Sequence, residues 1–259
     1  MNQAVRKQAS NPSVHSPLTA RSLWSMTLTL ILLVAVGYVG QSLTRATSFP
    51  IKNVTVEGDF RYLTPGYIQT LVGQSLRGGF FQIDVQEIRR SLLEEPWVME
   101  ATIERRWPDV LRVAISEQQP AARWGNHALL NTAADVFAPA LGTFPQHLPR
   151  LSGPVGSETE ILSTYRVIAE RMMPLGLSVT WLELSERGAW TVGLQNETRL
   201  ILGRHRINER LQRFRRAFES ALKENWSDIE SIDLRYTNGF AIQERKLEDA
   251  HYGLDKRGG

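Results

Sequence analysis

Residues 96–117 read PWVMEATIERRWPDVLRVAISE, and this run predicts two strands joined by a turn. Apolar residues occupy every second position in both halves of the run: Met99, Ala101 and Ile103, then Leu111, Val113 and Ile115. Alternation with a period of two is typical of strands that bury one face. Trp107-Pro108-Asp109 separates the halves and supplies the turn residues. We therefore expect neighbouring strands here.

One strand and two helices are predicted upstream of these strands. Val54-Thr55-Val56-Glu57 alternates in the same way. Thr64-Pro65 supplies a helix N-cap followed by proline at the first helical position. Asp84 and Glu87 are three residues apart, as in a capping box that opens a second helix. The order is β-α-α-β-β over residues 50–119, which predicts a small sheet with two helices on one face.

A single membrane span is predicted before this unit. The 23 residues between Arg21 and Arg45 carry no charge, and the apolar part covers residues 23–43. As a helix this part would be about 31 Å long, the thickness of a hydrocarbon core. A cleaved signal peptide is the competing interpretation, but its apolar region is shorter, at about 7–15 residues. More cations precede the span than follow it closely, so we expect residues 1–22 to be a cytoplasmic tail.

Composition limits the possible functions. The 259-residue chain has no cysteine, which excludes disulfides, thiolate nucleophiles and Cys-ligated zinc. Its pI of about 9.3 suggests a nucleic-acid partner. However, three of the 30 cations precede the span, and residues 44–259 hold the other 27 against all 27 acids. The outer part of the chain is formally neutral, so we expect no nucleic-acid partner.

A second, β-rich unit is predicted over residues 120–244. Strands are expected at 178–184, 189–194 and 199–202, after an ordered, proline-rich loop. Ser157 and Glu160 predict a second capping box, which opens a helix. The fold class is therefore α+β, with two helices in the second unit and a polar, mobile tail at residues 245–259.

The second helix of this unit, Ile207 to about Lys223, is rich in arginine. Its apolar stripe has helical spacing: Leu211, Phe214, Phe218 and Leu222. One interpretation is a helix that binds nucleic acid or anionic lipid. The other, which we favour, is a helix that packs into the core and exposes a solvated basic face.

The last predicted elements form a hairpin. A strand at Ile229–Tyr236 is followed by the turn Thr237-Asn238-Gly239 and a strand from Phe240 to about Gln243. Asn-Gly between alternating residues is a strong hairpin signal.

The first unit resembles a POTRA domain. The resemblance rests on motifs that follow one another within 65 residues: Val54-x-Val56-x-Gly58, Gly78-Gly79-Phe80-Phe81-x-Ile83-Asp84, Pro96-Trp97-Val98, and Arg105-Arg106-Trp107-Pro108 with Leu111-x-Val113-x-Ile115-x-Glu117. One POTRA domain directly after one anchor is similar to the FtsQ/DivIB family of bacterial cell-division proteins, in a Gram-negative form. The stretches 121–139 and 233–241 also resemble this family. Gln243-Glu244 departs from it, because the family often carries a tryptophan shortly after the hairpin.

The resemblance implies a non-catalytic membrane scaffold of the divisome. Its expected location is the bacterial inner membrane at the septum, with the N-terminus in the cytoplasm and the bulk of the chain in the periplasm. The implied partners are the FtsB/FtsL pair near the C-terminal hairpin, and FtsK and other division proteins at the anchor and POTRA regions; a weak homodimer is also possible. The residues expected to bind FtsB/FtsL are Arg235, Tyr236, Asn238, Gly239 and Phe240. For the last three a structural role is the alternative: Asn238-Gly239 would only form the turn and Phe240 would only pack. An exposed sheet edge could accept a partner strand.

Two other functions remain as alternatives. A POTRA protein could chaperone polypeptides across the envelope, although such proteins usually have several POTRA repeats and a barrel. An envelope hydrolase is the third class. The sequence has no Walker loop, G-x-G-x-x-G or H-E-x-x-H motif, and its five histidines have no metal-ligand spacing. We therefore expect no catalysis, no cofactor and no metal.

Overall fold

The computed structural model describes residues 20–44, 50–77 and 79–245. The predicted cytoplasmic tail, residues 1–22, and the predicted mobile tail, residues 245–259, lie almost entirely outside the described residues.

An apolar helix begins the described chain. Helix α1 spans Ala20–Thr44 and contains the whole of the predicted span, residues 23–43. Its window Trp24–Gln41 has a mean hydropathy of 1.5, and by length and composition it is able to cross a membrane. The side chains at residues 24–41 are exposed, so the protein itself does not bury this helix. An exposed apolar surface of this length fits a membrane-spanning helix.

The next unit is a three-stranded sheet covered by two helices. Its elements are β1 (Asn53–Glu57), α2 (Pro65–Ser75), α3 (Val85–Leu93), β2 (Val98–Arg106) and β3 (Val110–Glu117). The strand order is β1-β3-β2, with β1 parallel and β2 antiparallel to the central β3. The predicted β-α-α-β-β order is confirmed.

Both helices of this unit begin where the sequence predicts. The Thr64 hydroxyl accepts a hydrogen bond from the backbone N–H of Tyr67 at 3.2 Å, and Pro65 occupies the first helical position. The Asp84 carboxylate accepts from the N–H groups of Gln86 and Glu87. These side chains satisfy backbone donors that a helix start would otherwise leave unpaired.

The second unit is a nine-stranded mixed sheet. Its strands are β4 (Pro120–Trp124), β5 (Ala128–Asn131), β6 (Val136–Phe137), β7 (Arg150–Ser152), β8 (Val179–Leu184), β9 (Trp190–Leu194), β10 (Arg199–Gly203), β11 (Ile229–Asp233) and β12 (Ala241–Glu244). The order across the sheet is β12-β11-β10-β9-β8-β7-β4-β5-β6. Its helices are α4 (Glu158–Met172) and α5 (Ile207–Ala217), and a π-helical turn, Phe218–Leu222, extends α5. Both helices bury their apolar stripes in one core with the sheet.

Two local predictions in this unit are wrong. Ser157 does not cap α4: its hydroxyl donates to the carbonyl of Pro154, and no side-chain cap is formed. The β11–β12 hairpin exists, but it is closed by the seven-residue loop 234–240 rather than by a tight Asn-Gly turn. Neither Asn238 nor Gly239 has the positive φ that a type I′ turn requires.

The two units share part of a core. Leu129, Phe137 and Phe144 of the second unit are buried among residues of the first. The buried Trp97 stacks on Tyr62 at 3.9 Å between ring centroids and meets the edge of Phe137 at 5.3 Å. Its indole N–H also donates to the Thr143 hydroxyl at 3.2 Å. The junction is therefore packed like a protein interior and is not a simple linker.

Candidate partner-binding site

Strand β12 forms one edge of the nine-stranded sheet. Among the described residues it pairs only with β11, in register Asp233↔Ala241 and Ile232↔Ile242. All four residues of β12 are exposed. One side of the strand therefore presents backbone N–H and C=O groups without a partner strand, the arrangement to which an extended segment can be added.

Strand β11 anchors β12 to the rest of the sheet and to the core. β11 runs parallel to β10, and its Ile229 and Ile232 are buried in the core. The Thr198 hydroxyl, itself fully buried, donates to the carbonyl of Ile229 at 2.7 Å. Partner strands added to β12 would therefore lie against a fixed backbone.

The predicted site residues lie on the loop 234–240, which leads into β12. Arg235 and Tyr236 are exposed, as is Asn238. Gly239 and Phe240 are half-buried, and Phe240 packs against the core. Three of the five predicted residues are therefore exposed and two are half-buried, and of these two Phe240 also packs against the core.

Arg235 is held by an acidic neighbour. Its guanidinium donates to both carboxylate oxygens of Asp233, at 2.6 Å for the shortest contact. The Asp233 carboxylate also accepts the backbone N–H of Arg235 at 3.0 Å. These hydrogen bonds, above all the one from the side chain of Arg235, hold the pKa of Asp233 below its ordinary value. The pair fixes the start of the loop at the end of β11.

Two arginines of α5 hold the loop from the other side. Arg213 donates to the carbonyls of Leu234 at 3.0 Å and Thr237 at 2.5 Å. Arg210 donates to the carbonyls of Leu202 and Arg235, the latter at 3.0 Å. Both arginines are half-buried, so the prediction of a solvated basic face is wrong at these positions. The predicted packing of the apolar stripe of α5 into the core is confirmed.

A basic cleft of about 400 Å³ lies between α5 and the loop. Its lining comprises Arg206, Glu209, Arg210, Arg213, Arg216, Tyr236, Thr237 and Asn238. Glu209 is the only acid in this lining, and it pairs with Arg206 at 3.0 Å. The cleft therefore presents net positive charge beside the ring of Tyr236, which suits an acidic side chain or a terminal carboxylate.

Polar contacts also fix the far end of β12. Arg245 donates through its backbone N–H to the carbonyl of Asp228 at 2.7 Å, and through its guanidinium to the carbonyls of Ile229 and Asn196. Gln243, at the departure from the family pattern, bonds Ser231 and Glu230 across the hairpin. Ile242 leaves 44% of its surface exposed.

Sequence reasoning missed three residues of this site: Arg210, Arg213 and Arg245. The first two are three positions apart at the border of the apolar stripe of α5, which was the available signal. No motif in the sequence around Arg245 indicated its role, because the carbonyls that it bonds belong to two distant segments of the chain. Within the described part of the chain, no group of three His, Asp or Glu side chains could hold a metal ion.

An apolar helix of membrane length, a POTRA-like sheet and a second sheet with an open edge are the features of a POTRA protein that carries one potential membrane span. Comparison with family models agrees: residues 49–118 match the POTRA domain of FtsQ type, and residues 122–235 match the C-terminal domain of cell division protein FtsQ/DivIB. The chain belongs to the FtsQ/DivIB family of cell-division proteins, and it fits a single-pass membrane protein.

Curated relatives support this assignment. The chain is 35% identical to cell division protein FtsQ of Xanthomonas campestris over 240 residues, which cover 90% of this chain and 83% of the relative. It is 32% identical to FtsQ of Coxiella burnetii over 196 residues, covering 76% and 81% of the two chains. It is 35% identical to FtsQ of Shewanella oneidensis over 225 residues, covering 85% and 86%. These matches favour the division family over POTRA proteins of transport type.

Proposed function

We propose that this protein is a non-catalytic scaffold of the divisome, which links division proteins by adding a partner strand to β12. The observation that carries the proposal is the exposed β12 edge beside the basic cleft. Backbone hydrogen bonds to the edge would supply affinity, and the cleft would supply specificity. Such a role needs no reacting group.

The predicted site residues take different roles in this proposal. Tyr236, 58% exposed at the rim of the cleft, is the residue that a partner would cover, and tyrosine is enriched among interface hot spots. Arg235 acts as a positioning residue, because its guanidinium is already committed to Asp233. Asn238 and Gly239 lie where the partner strand would enter, and Phe240 supports β12 from the core side.

The partners proposed for this edge are FtsB and FtsL. A segment of theirs that combines extended backbone with acidic side chains would match both the edge and the cleft. FtsK and other division proteins are proposed to meet the anchor and the POTRA region. We also propose the topology: a cytoplasmic N-terminus, an inner-membrane anchor and periplasmic domains at residues 50–119 and 120–244, concentrated at the septum.

Calorimetry with the full chain in lipid nanodiscs and the FtsB/FtsL ectodomain pair tests the proposal. Tyr236→Ala should weaken binding by about thirtyfold, as expected for a hot spot worth about 2 kcal/mol. Tyr67→Ala is the matched control, because Tyr67 is also exposed, at 46%, but lies on α2 of the POTRA unit. It should leave binding unchanged.

Amide hydrogen exchange in the same complex tests the mode of binding. Strand addition requires that the partner protect those backbone amides of residues 241–244 that do not already bond β11. Unchanged exchange there, or equal losses from the two tyrosine variants, would place the contact elsewhere. If the pair does not bind at all, the proposed partners are wrong.

A further inference from the structure

The POTRA unit has one end at which the chain arrives from α1. We define this anchor-proximal end by the entry segment 50–53, the loop residues 76–77 and 79–84 after α2, and the turn 105–109 between β2 and β3. The backbone N–H groups of Lys52 and Asn53 both donate to the carbonyl of Asp109, at 3.0 and 3.3 Å. Arg105 donates to the carbonyl of Ile83 and so ties the loop to the turn. The three segments form one surface.

Two large aromatic side chains are exposed on this surface. Trp107, at the tip of the turn, is 73% exposed, and Phe81, in the loop, is 53% exposed. By contrast, the neighbouring Phe80 and Ile83 are buried, at 6% and 2%. The ring of Phe81 contacts the buried Phe80 edge-on at 5.3 Å between ring centroids, while about half of its surface, and most of the Trp107 indole, stays exposed to water. This exposed apolar surface lacks the stabilisation that burial gives to most aromatic side chains, and a partner surface that covered it would supply that stabilisation.

The charges of this end do not oppose contact with a lipid headgroup. Each of its acids is engaged within the protein: Asp84 caps α3, Asp109 pairs with Lys52 at 3.4 Å, and Glu104 pairs with Arg106 at 3.0 Å. Arg77, in the same loop, is exposed. The end is therefore neutral to weakly basic, and anionic headgroups would not be repelled.

The short connection to α1 indicates which surface these aromatic side chains can reach, namely the bilayer that α1 would cross. Helix α1 ends at Thr44 and β1 begins at Asn53, so eight residues separate them. Fully extended, these residues span at most about 30 Å. A tether of this length keeps the anchor-proximal end at a high effective concentration next to the bilayer that α1 crosses. Tryptophan in particular favours the membrane–water interface.

We propose that the POTRA unit docks on the outer surface of its own membrane, with Trp107 and Phe81 inserted at the headgroup level. This contact goes beyond the scaffold role and rests only on α1 crossing the membrane. It fixes the orientation of the folded domains over the bilayer, because a single tether alone would leave them free to rotate.

Spin labels on the full chain in lipid nanodiscs test this docking, and the absence of cysteine makes single labelling clean. One label is placed by Arg77→Cys at the anchor-proximal end. The other is placed by Asp59→Cys, in the exposed loop after β1 at the opposite end of the sheet. We expect the label at residue 77 to be more accessible to oxygen and less accessible to a water-soluble nickel chelate than the label at residue 59.

Replacing both aromatics, Trp107→Ser with Phe81→Ser, should abolish this difference. Val155→Ser is the control, since Val155 is 99% exposed in the second unit, and it should leave the difference intact. Near-ultraviolet circular dichroism verifies that the double variant stays folded. Equal accessibility of the two labels, or a difference that survives the double variant, would overturn the proposal. A difference seen only at high protein density would assign the surface to a second copy and would also overturn it.

Discussion

Arg213 connects α5 to the loop that carries the candidate site. Its guanidinium donates to the carbonyls of Leu234 and Thr237, and no other side chain within the described residues bonds these two acceptors. A half-buried carbonyl that loses a charged donor loses stabilisation unless water replaces it. The residue therefore determines the shape of the loop more than it determines the charge of the cleft.

Replacing Arg213 with methionine should consequently loosen the loop. We expect the free energy of opening, measured by amide exchange over residues 234–240, to fall by about 1–3 kcal/mol. Arg215→Met is the matched control, because Arg215 is exposed on the same helix and donates to no described residue. Equal effects of the two variants would mean that lost charge, and not the two hydrogen bonds, controls the loop.

Asp233 gives the same loop a dependence on pH. The hydrogen bond from Arg235 holds the pKa of Asp233 below its ordinary value of 3.8. A carboxyl group with a depressed pKa in the folded protein stabilises the fold above its unfolded pKa, near 4, and loses that contribution as the pH falls through its folded pKa. We expect Arg235→Ala to raise this pKa, as measured by carbon NMR titration of the carboxyl group. Arg199→Ala, which breaks the nearby ion pair with Glu230, should not raise it.

Strand β12 is short, and its stability as an element depends on both of its ends. Arg245 closes the far end through hydrogen bonds to the carbonyls of Asp228, Ile229 and Asn196. We expect Arg245→Ala to lower amide protection over residues 241–244 by about tenfold, the worth of one net hydrogen bond. Binding of the proposed FtsB/FtsL partner should weaken with it. Arg187→Ala, at an exposed turn, is the control, and unchanged protection in the Arg245 variant would show that β11 alone holds the edge.

The elements that sequence alone predicted best are those whose signals are local. Alternation located β1, β2 and β3, and the caps at Thr64 and Asp84 located α2 and α3, because each signal involves residues within a few positions of one another. Ser157 has the same pattern, yet its hydroxyl bonds Pro154 instead. A local pattern states what a side chain is able to do; here the orientation in which the hydroxyl donates to Pro154 brings no helix N–H to its oxygen.

The position of the hairpin could be predicted from the sequence, but the contacts that shape its loop could not. The hairpin signal at Asn238-Gly239 pointed to the correct segment, while the loop proved longer because its carbonyls bond arginines of α5. These contacts join residues more than 20 positions apart. No periodicity or cap encodes such a pairing, and it is decided only when the helix packs on the sheet.

The two folded units of the molecule are coupled through the core that they share. Glu117, at the end of β3, accepts the backbone N–H groups of Arg61, Tyr62 and Leu63, and so fixes the loop that carries Tyr62 beneath Trp97. Because Trp97 also packs on Phe137, the second unit completes the core of the first. In the proposed scaffold role, this junction would hold an anchor-side contact and the β12 edge at a fixed separation.

Trp97→Ala tests this coupling. The indole is 4% exposed, so its removal should cost about 3–5 kcal/mol of unfolding free energy and should uncouple the two units. Urea unfolding followed by limited proteolysis should then show two transitions in place of one. Thr143→Val, which removes the hydroxyl that accepts from the indole and donates to the carbonyl of Ala140, should cost about 1–2 kcal/mol and keep a single transition. If the Trp97 variant also unfolds in one step, the junction does not couple the units and the fixed separation has to come from elsewhere.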